Sequence, residues 1–167
     1  KECKILDAGC GTGGLMAHLK HKGYKNLKGF DVSQLAVNAC KSRDLEVVIG
    51  NLRNVEDVFP DKLFDVIISN DTMYYLDSPE IKNFLESCSN ILNPKGLVLL
   101  NIPTLEMFKG IHDIAVGIKK RFSKDGIKDC INVQLKVEKE IFWPFLLSPL
   151  ILVVRSWQRL KIKLFPR

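Results

Sequence analysis

Asp7-Ala8-Gly9-Cys10-Gly11-Thr12-Gly13-Gly14 decides how the rest of this chain is read. A short apolar run, Cys3 to Leu6, leads into it, and a stretch of helical period, Leu15 to Lys22, leads out. Strand, glycine loop, helix is an order that lets backbone come close to a ligand, because no Cβ stands in the way. The helix also opens with N–H groups that have no partner inside it. Gly9, Gly11 and Gly14 satisfy the spacing G-x-G-x-x-G, which alone is a weak sign of a dinucleotide site. A tight turn without a ligand satisfies it too.

Two acids raise the odds of a ligand. Asp31 ends the next strand, Leu27 to Phe30, in Gly29-Phe30-Asp31-Val32-Ser33. In a doubly wound sheet the first two strands are neighbours, so Asp31 falls beside the glycine loop at the carboxyl edge, where ligands bind. A carboxylate there can accept both hydroxyls of a ribose. The competing role, N-cap of the following helix, suits Ser33 better. Asp7 closes an otherwise buried strand. It is either a core carboxyl held by loop amides or a group that orients a cationic, amino-bearing ligand, and three adjacent glycines favour the second.

Outward from the loop, strand-length apolar runs alternate with helical periods. Gln34 to Ser42 reads as helix, Glu46 to Ile49 and Phe64 to Ile68 as strands rich in Val and Ile. In Glu80 to Leu92 the apolar residues Ile81, Phe84, Leu85, Cys88, Ile91 and Leu92 recur at i, i+3, i+4, i+7, the mark of an amphipathic helix. Asn93-Pro94-Lys95-Gly96 breaks the chain before a last apolar strand, Leu97 to Ile102. Repeated β-then-α order with buried strands predicts an α/β fold with a doubly wound, mostly parallel sheet. No repeat or linker divides the 167 residues. A single domain over residues 1–167 is expected.

The chain is 46% hydrophobic and 26% charged, as globular domains are. Its five cysteines are scattered and none has C-x-x-C spacing, so a reduced, cytoplasmic setting without a structural metal is expected. Of the net charge of +6, five units come from Arg155, Arg159, Lys161, Lys163 and Arg167, which leaves +1 for the other 154 residues. A nucleic-acid partner would require a basic face spread across the fold, and this distribution argues against one. No signal peptide is visible ahead of Asp7. The uncharged run Ile141 to Val154 is 14 residues long and holds Pro144 and Pro149, too short and too broken to span a bilayer. The tail from Phe142 to Phe165 reads as a last strand edge plus a packed helix, Leu150 to Leu164, with a basic side or, on the sharper reading, as an interfacial helix touching anionic lipid, a peripheral membrane contact.

The run Asp7 to Gly13 resembles motif I of the class I S-adenosylmethionine-dependent methyltransferase family, D-x-G-x-G-x-G. The likeness continues through Asp31, Gly50-Asn51-Leu52, Phe64 to Asn70 and Leu92-Asn93-Pro94-Lys95-Gly96, in order over about a hundred residues. It implies a Rossmann-like methyltransferase fold with S-adenosyl-L-methionine as cofactor, residues 1–102 being the cofactor-binding half and 103–167 the acceptor-side insertion and tail. It places Asp7 near the methionine amino group and Gly9, Cys10, Gly11 and Gly13 along methionine and ribose. Asp31 would bind ribose, Val32 and Leu52 would flank adenine, and Asn51 would face the adenine amine where the family usually has Asp. Asn70, at the end of the fourth strand, completes the cofactor set.

Gly110-Ile111-His112-Asp113 and Arg121-Phe122-Ser123, with Ser148-Pro149-Leu150 and Arg155, resemble elements of a type-11 subgroup. By that likeness His112 is a general base or else a surface loop histidine, and Asp113 and Arg121 are acceptor contacts. Tyr75 stands where many relatives carry histidine, as an acceptor contact or as packing under its loop. The helices that relatives carry ahead of the first strand are missing here, so a fragment of a longer protein is expected. The function implied is methyl transfer to a small-molecule, glycan or lipid-linked acceptor. Two alternatives stay open: a non-catalytic nucleoside-binding domain of the same fold, and an NAD-dependent oxidoreductase, against which count Asp7 and the lack of a Tyr-x-x-x-Lys.

Overall fold

The computed structural model describes residues 1–104, 121–123, 126–131 and 134–141. Among them five strands make one parallel sheet: β1 Lys4–Ala8, β2 Asn26–Asp31, β3 Val47–Ile49, β4 Phe64–Asn70 and β5 Leu92–Asn101, in the order β3-β2-β1-β4-β5. The helices between them are α1 Gly14–His21, α2 Gln34–Lys41, α3 Val55–Val58 and α4 Ser78–Asn90. Register runs Ile5 with Leu27 and Val66, Asp7 with Gly29 and Ile68, and Asp31 with Ile49, so β1, β2, β3 and β4 end at one edge. Strand order reverses between β1 and β4, and that crevice is where open α/β sheets hold ligands.

Alternation along β1 explains the two layers. Leu6 and Ala8 join Phe30, Ile67 and the inner side of α4 (Ile81, Phe84, Leu85, Cys88) in one core. Ile5 joins Met16 of α1, Val37 and Cys40 of α2, Leu27 and Val47 in the other. Asp7, two residues after Ile5, shares that second face.

The expected elements form with shifted ends. Ser33 caps α2, its Oγ accepting from Ala36 N–H at 3.4 Å. α4 opens at Ser78 because Asp77 and Glu80 close a capping box, Asp77 accepting from Glu80 N–H at 2.9 Å and Glu80 from Asp77 N–H at 2.8 Å. The chain does not leave the sheet at residues 93–96. Phe64 pairs with Leu92 and Val66 with Leu97, so the extra residues are absorbed as a bulge inside β5. Asn93 Nδ2 pins it to Asp65 Oδ1 at 2.7 Å, and Lys95 takes a positive φ of 68°. The turn Leu52–Asn54 and the short α3 had no counterpart in the sequence pattern.

No helix among the described residues is long and apolar enough to cross a membrane. All five cysteines are free thiols. The tail from Phe142 to Phe165, where a helix was expected, lies outside the described residues.

Candidate cofactor site

At the carboxyl edge, Asp7, Gly9, Cys10, Gly11, Thr12, Gly14, Leu15 and Asn70 line a cleft of about 280 Å³. The loop that forms it is tied back to β2. Gly9 and Cys10 N–H both donate to Phe30 carbonyl oxygen, at 2.9 and 3.0 Å. Gly9 has φ +81°, and a Cβ on it would lie 2.6 Å from Cγ2 of Thr72. Thr72 is itself buried and hydrogen-bonded to Ser69, whose Oγ also donates to Ala8 carbonyl at 3.3 Å. The loops after β1 and β4 therefore touch where Gly9 has no side chain.

Asp7 is 2% exposed, and its Oδ2 is buried with no hydrogen-bond partner among the described residues. Burial, with the Asp31 carboxylate adding to it, pushes its pKa up to about 6. A buried carboxylate without a donor is costly, and one on a cleft wall is satisfied by a ligand that brings N–H groups. Asp31 Oδ2 accepts from Gly11 N–H at 2.8 Å, and its Oδ1 accepts from Ser33 N–H at 2.9 Å. It thus binds loop to helix, and a carboxylate's remaining lone pairs can still take two hydroxyls.

Beyond Asp31 the edge turns apolar. Val32 is 72% exposed, Leu35 is 82% exposed and Ile49 is half exposed. Gly50 N–H donates to Asp31 carbonyl at 3.1 Å, which draws the turn after β3 to this edge. There Asn51 Oδ1 caps the Leu52–Asn54 turn, accepting from Arg53 N–H at 3.0 Å, and Leu52 packs partly buried on the α4-side core.

Asp7, Gly9, Cys10, Gly11 and Asn70 thus share one cleft. Asp31 reaches it through Gly11, and Val32 and Asn51 follow along the same edge. Gly13 backs the loop instead, where a Cβ would stand 2.6 Å from Leu45 Cδ1 and 2.8 Å from Cys40 Sγ. Asn70 Oδ1 accepts from Asn101 Nδ2 at 2.9 Å, and that amide also reaches Asp71 Oδ2 at 3.3 Å. Tyr75, 56% exposed, lies against the Tyr74 ring with centroids 4.5 Å apart. Arg121 Nη1 donates to Thr104 carbonyl at 3.1 Å. His112 and Asp113 lie outside the described residues.

Thr12, Leu15, Leu35 and Ile49 stand at this edge without having been singled out in the sequence, whereas Gly14 belongs to the glycine spacing. Leu35 gave one signal, an apolar residue off the Ala36-Val37-Cys40 stripe that α2 buries. α1 has no side-chain N-cap, so its first N–H groups are free to meet an anion. A second hollow of about 410 Å³ sits at the opposite, amino-terminal edge among Lys4, Lys25, Lys28, Glu46, Asp61 and Lys62. It is remote from these groups.

Among the described residues the cleft therefore offers a carboxylate oxygen without a donor for an amine and free N–H groups for a carboxylate, and the edge beside it offers Asp31 for a diol and an apolar rim for a flat ring. Residues 5–96, more than half the chain, match the family model described as a methyltransferase domain. This chain belongs to the class I S-adenosylmethionine-dependent methyltransferase family. Phosphoethanolamine N-methyltransferase 1 of Zea mays is 30% identical over 71% of this chain and 24% of its own length. A solved S-adenosylmethionine-dependent methyltransferase from Clostridium acetobutylicum is 28% identical with TM-score 0.52, covering 60% of this chain and 43% of that one. L-lactate dehydrogenase 1 of the same bacterium is 28% identical over 69% of this chain and 34% of its own. The chain spans about a quarter to two fifths of the length of the first curated relatives it matches. The residues present fit the family's cofactor: Asp7 and the amides of Thr12, Gly14 and Leu15 line the cleft, and Asp31 stands beside it on the Gly11 N–H.

Proposed function

We propose that this chain binds S-adenosylmethionine in the cleft under the glycine loop and transfers its methyl group to a small-molecule, glycan or lipid-linked acceptor. The observation that carries the reading is Asp7, whose buried Oδ2 has no donor among the described residues and stands on the cleft wall. Asp7 takes the ammonium and Asp31 the ribose hydroxyls. Val32 and Leu52 flank the adenine, and Asn51, its oxygen committed to Arg53 N–H on one lone pair, offers the other to the adenine amine.

When bound, the sulfonium supplies an already activated methyl. The protein's task is then to hold an acceptor in line with it and to keep water out. Asn70, at the end of β4, belongs to the cofactor set, and Tyr75, in the turn that follows, contacts the acceptor. Residues 1–102 form the cofactor half and 103–167 the acceptor side, with Asp113 and Arg121 as contacts and His112 taking the acceptor's proton. The maize relative is named for phosphoethanolamine, which supports a small polar acceptor. The basic tail provides a peripheral hold on anionic lipid, which co-sedimentation with anionic vesicles at low salt tests.

Calorimetric titration with S-adenosylhomocysteine and, separately, with NAD tests the donor. Binding of the first and not the second is expected, and the reverse would make the chain an oxidoreductase domain. Turnover of labelled methyl donor with a cell extract then separates enzyme from non-catalytic binder.

A further inference from the structure

The glycine loop is held from behind by the carboxyl end of α2. Gly11 has φ +53°, and a Cβ on it would meet nothing within 4 Å, so packing does not fix this peptide. Hydrogen bonds do. Its N–H donates to Asp31, and its carbonyl accepts the thiols of Cys40 at 3.3 Å and Cys10 at 3.6 Å. The next carbonyl, Thr12, accepts from Arg43 Nη1 at 3.2 Å. Cys10 and Gly13 carbonyls are taken by Gly13 N–H at 3.0 Å and Ala17 N–H at 2.9 Å. Every acceptor from Cys10 to Gly13 is thus committed within the protein. Among the described residues the N–H groups of Thr12, Gly14 and Leu15 have no acceptor, and those three residues line the cleft.

We infer that Cys40 and Arg43 are positioning residues that set the polarity of this loop. By holding the Gly11 and Thr12 carbonyls away from the cleft, they leave its donors to face the anionic, amino-acid end of the ligand. Released, the Gly11–Thr12 peptide can rotate and present a carbonyl where a carboxylate must sit. Cys40 reaches the loop because Gly13 leaves it room: its sulfur lies 2.8 Å from where a Gly13 Cβ would stand. Burial holds the Cys40 thiol above its ordinary range, so at neutral pH it keeps the proton that it donates.

The inference rests on the cofactor reading, and two ligands separate the clamp from general damage. S-adenosylhomocysteine carries the amino-acid end, whereas 5′-methylthioadenosine has the nucleoside without it. Cys40→Ala and Arg43→Ala are each expected to weaken S-adenosylhomocysteine roughly two- to tenfold, the range of one hydrogen bond, with methylthioadenosine changed less than about twofold. Cys40→Ser restores a donor and recovers the affinity, although a buried hydroxyl lowers Tm below that of Cys40→Ala. If both ligands weaken together, or Ser behaves as Ala does in binding, the clamp is wrong.

Amide exchange of residues 9–15 in ligand-free protein probes the clamp without any ligand. The double variant Cys40→Ala/Arg43→Ala should expose the Gly13 amide, which shares its peptide plane with the Thr12 carbonyl and donates to Cys10 carbonyl, while β1, β2 and β4 stay protected. Unchanged exchange there overturns the clamp whatever the ligands do. Failure of the unaltered protein to bind S-adenosylhomocysteine would instead defeat the cofactor reading.

Discussion

Asp7 couples the site to pH through one oxygen atom. Its carboxyl pKa stands near 6 in the fold because of burial and the Asp31 charge, against an ordinary value near 4 in the unfolded chain. A raised folded pKa means that the fold prefers the protonated form. The stabilisation is fully present below about pH 4 and is lost as pH rises through 6. Asp7 therefore costs the ligand-free domain on the order of 2 kcal/mol at pH 7.5 relative to acid. Urea unfolding at pH 5 and 7.5 should show a slope that Asp7→Asn flattens; equal slopes would refute the assignment. An ammonium ligand reverses the preference. S-adenosylhomocysteine affinity should fall as pH drops below 6 in the unaltered protein and be low throughout in Asp7→Asn.

Gly9 is the other decisive residue. A methyl there collides with Thr72 and adopts a left-handed φ, so Gly9→Ala should cost about 1–3 kcal/mol and close the cleft mouth. Thr72→Ser removes the offending methyl and keeps the hydroxyl bonded to Ser69. The pair Gly9→Ala/Thr72→Ser should therefore recover part of the loss in a double-mutant cycle. Additive effects would show that the collision is relieved elsewhere. Asp7 and Gly9 were legible in the sequence because strand, loop and acid lie within eight residues. Thr72 and Cys40 were not, since each reaches the loop across the fold, from the turn after β4 and from α2.

Among elements, α4 makes the clearest test of what is local. Its capping box satisfies N–H groups at both Asp77 and Glu80, and Arg53 Nε adds an ion pair to Glu80 Oε1 at 2.5 Å. Asp77→Ala should cost about 1 kcal/mol in thermal or urea unfolding. Because α4 touches the sheet through its buried stripe and not through the cleft, S-adenosylhomocysteine affinity should not change. A tenfold loss of binding would mean that α4 carries the turn after β4 with it. The same helix shows why element types were readable and ends were not. Ile81, Phe84, Leu85 and Cys88 announce the period, whereas the start depends on a box of two polar side chains. α3 has four residues, too few for a period to appear. Asn93-Pro94-Lys95-Gly96 carries the chemistry of a turn, and only pairing with Asp65 and Val66 makes it a bulge within β5.

At the scale of the molecule, the cleft stands where the sheet changes direction. Its walls come from the ends of β1 and β4, with the β2 and β3 ends drawn in through Asp31 and Gly50. The two cores lie on opposite faces of the sheet and meet through β1, whose Ile5 serves one and whose Leu6 serves the other. A ligand seated there bridges elements from both layers, so its binding energy should appear as global stability and not as the stiffening of one loop. At a concentration a hundred times its Kd, S-adenosylhomocysteine should add about 2.7 kcal/mol to unfolding. The melting transition should move upward as a single step, and amide exchange in β1, β2 and β4 should slow together. NAD at the same concentration should leave all three strands unchanged. Slowing confined to residues 9–15 would mean that the ligand grips the loop alone, and that the crevice between β1 and β4 is not what it fills.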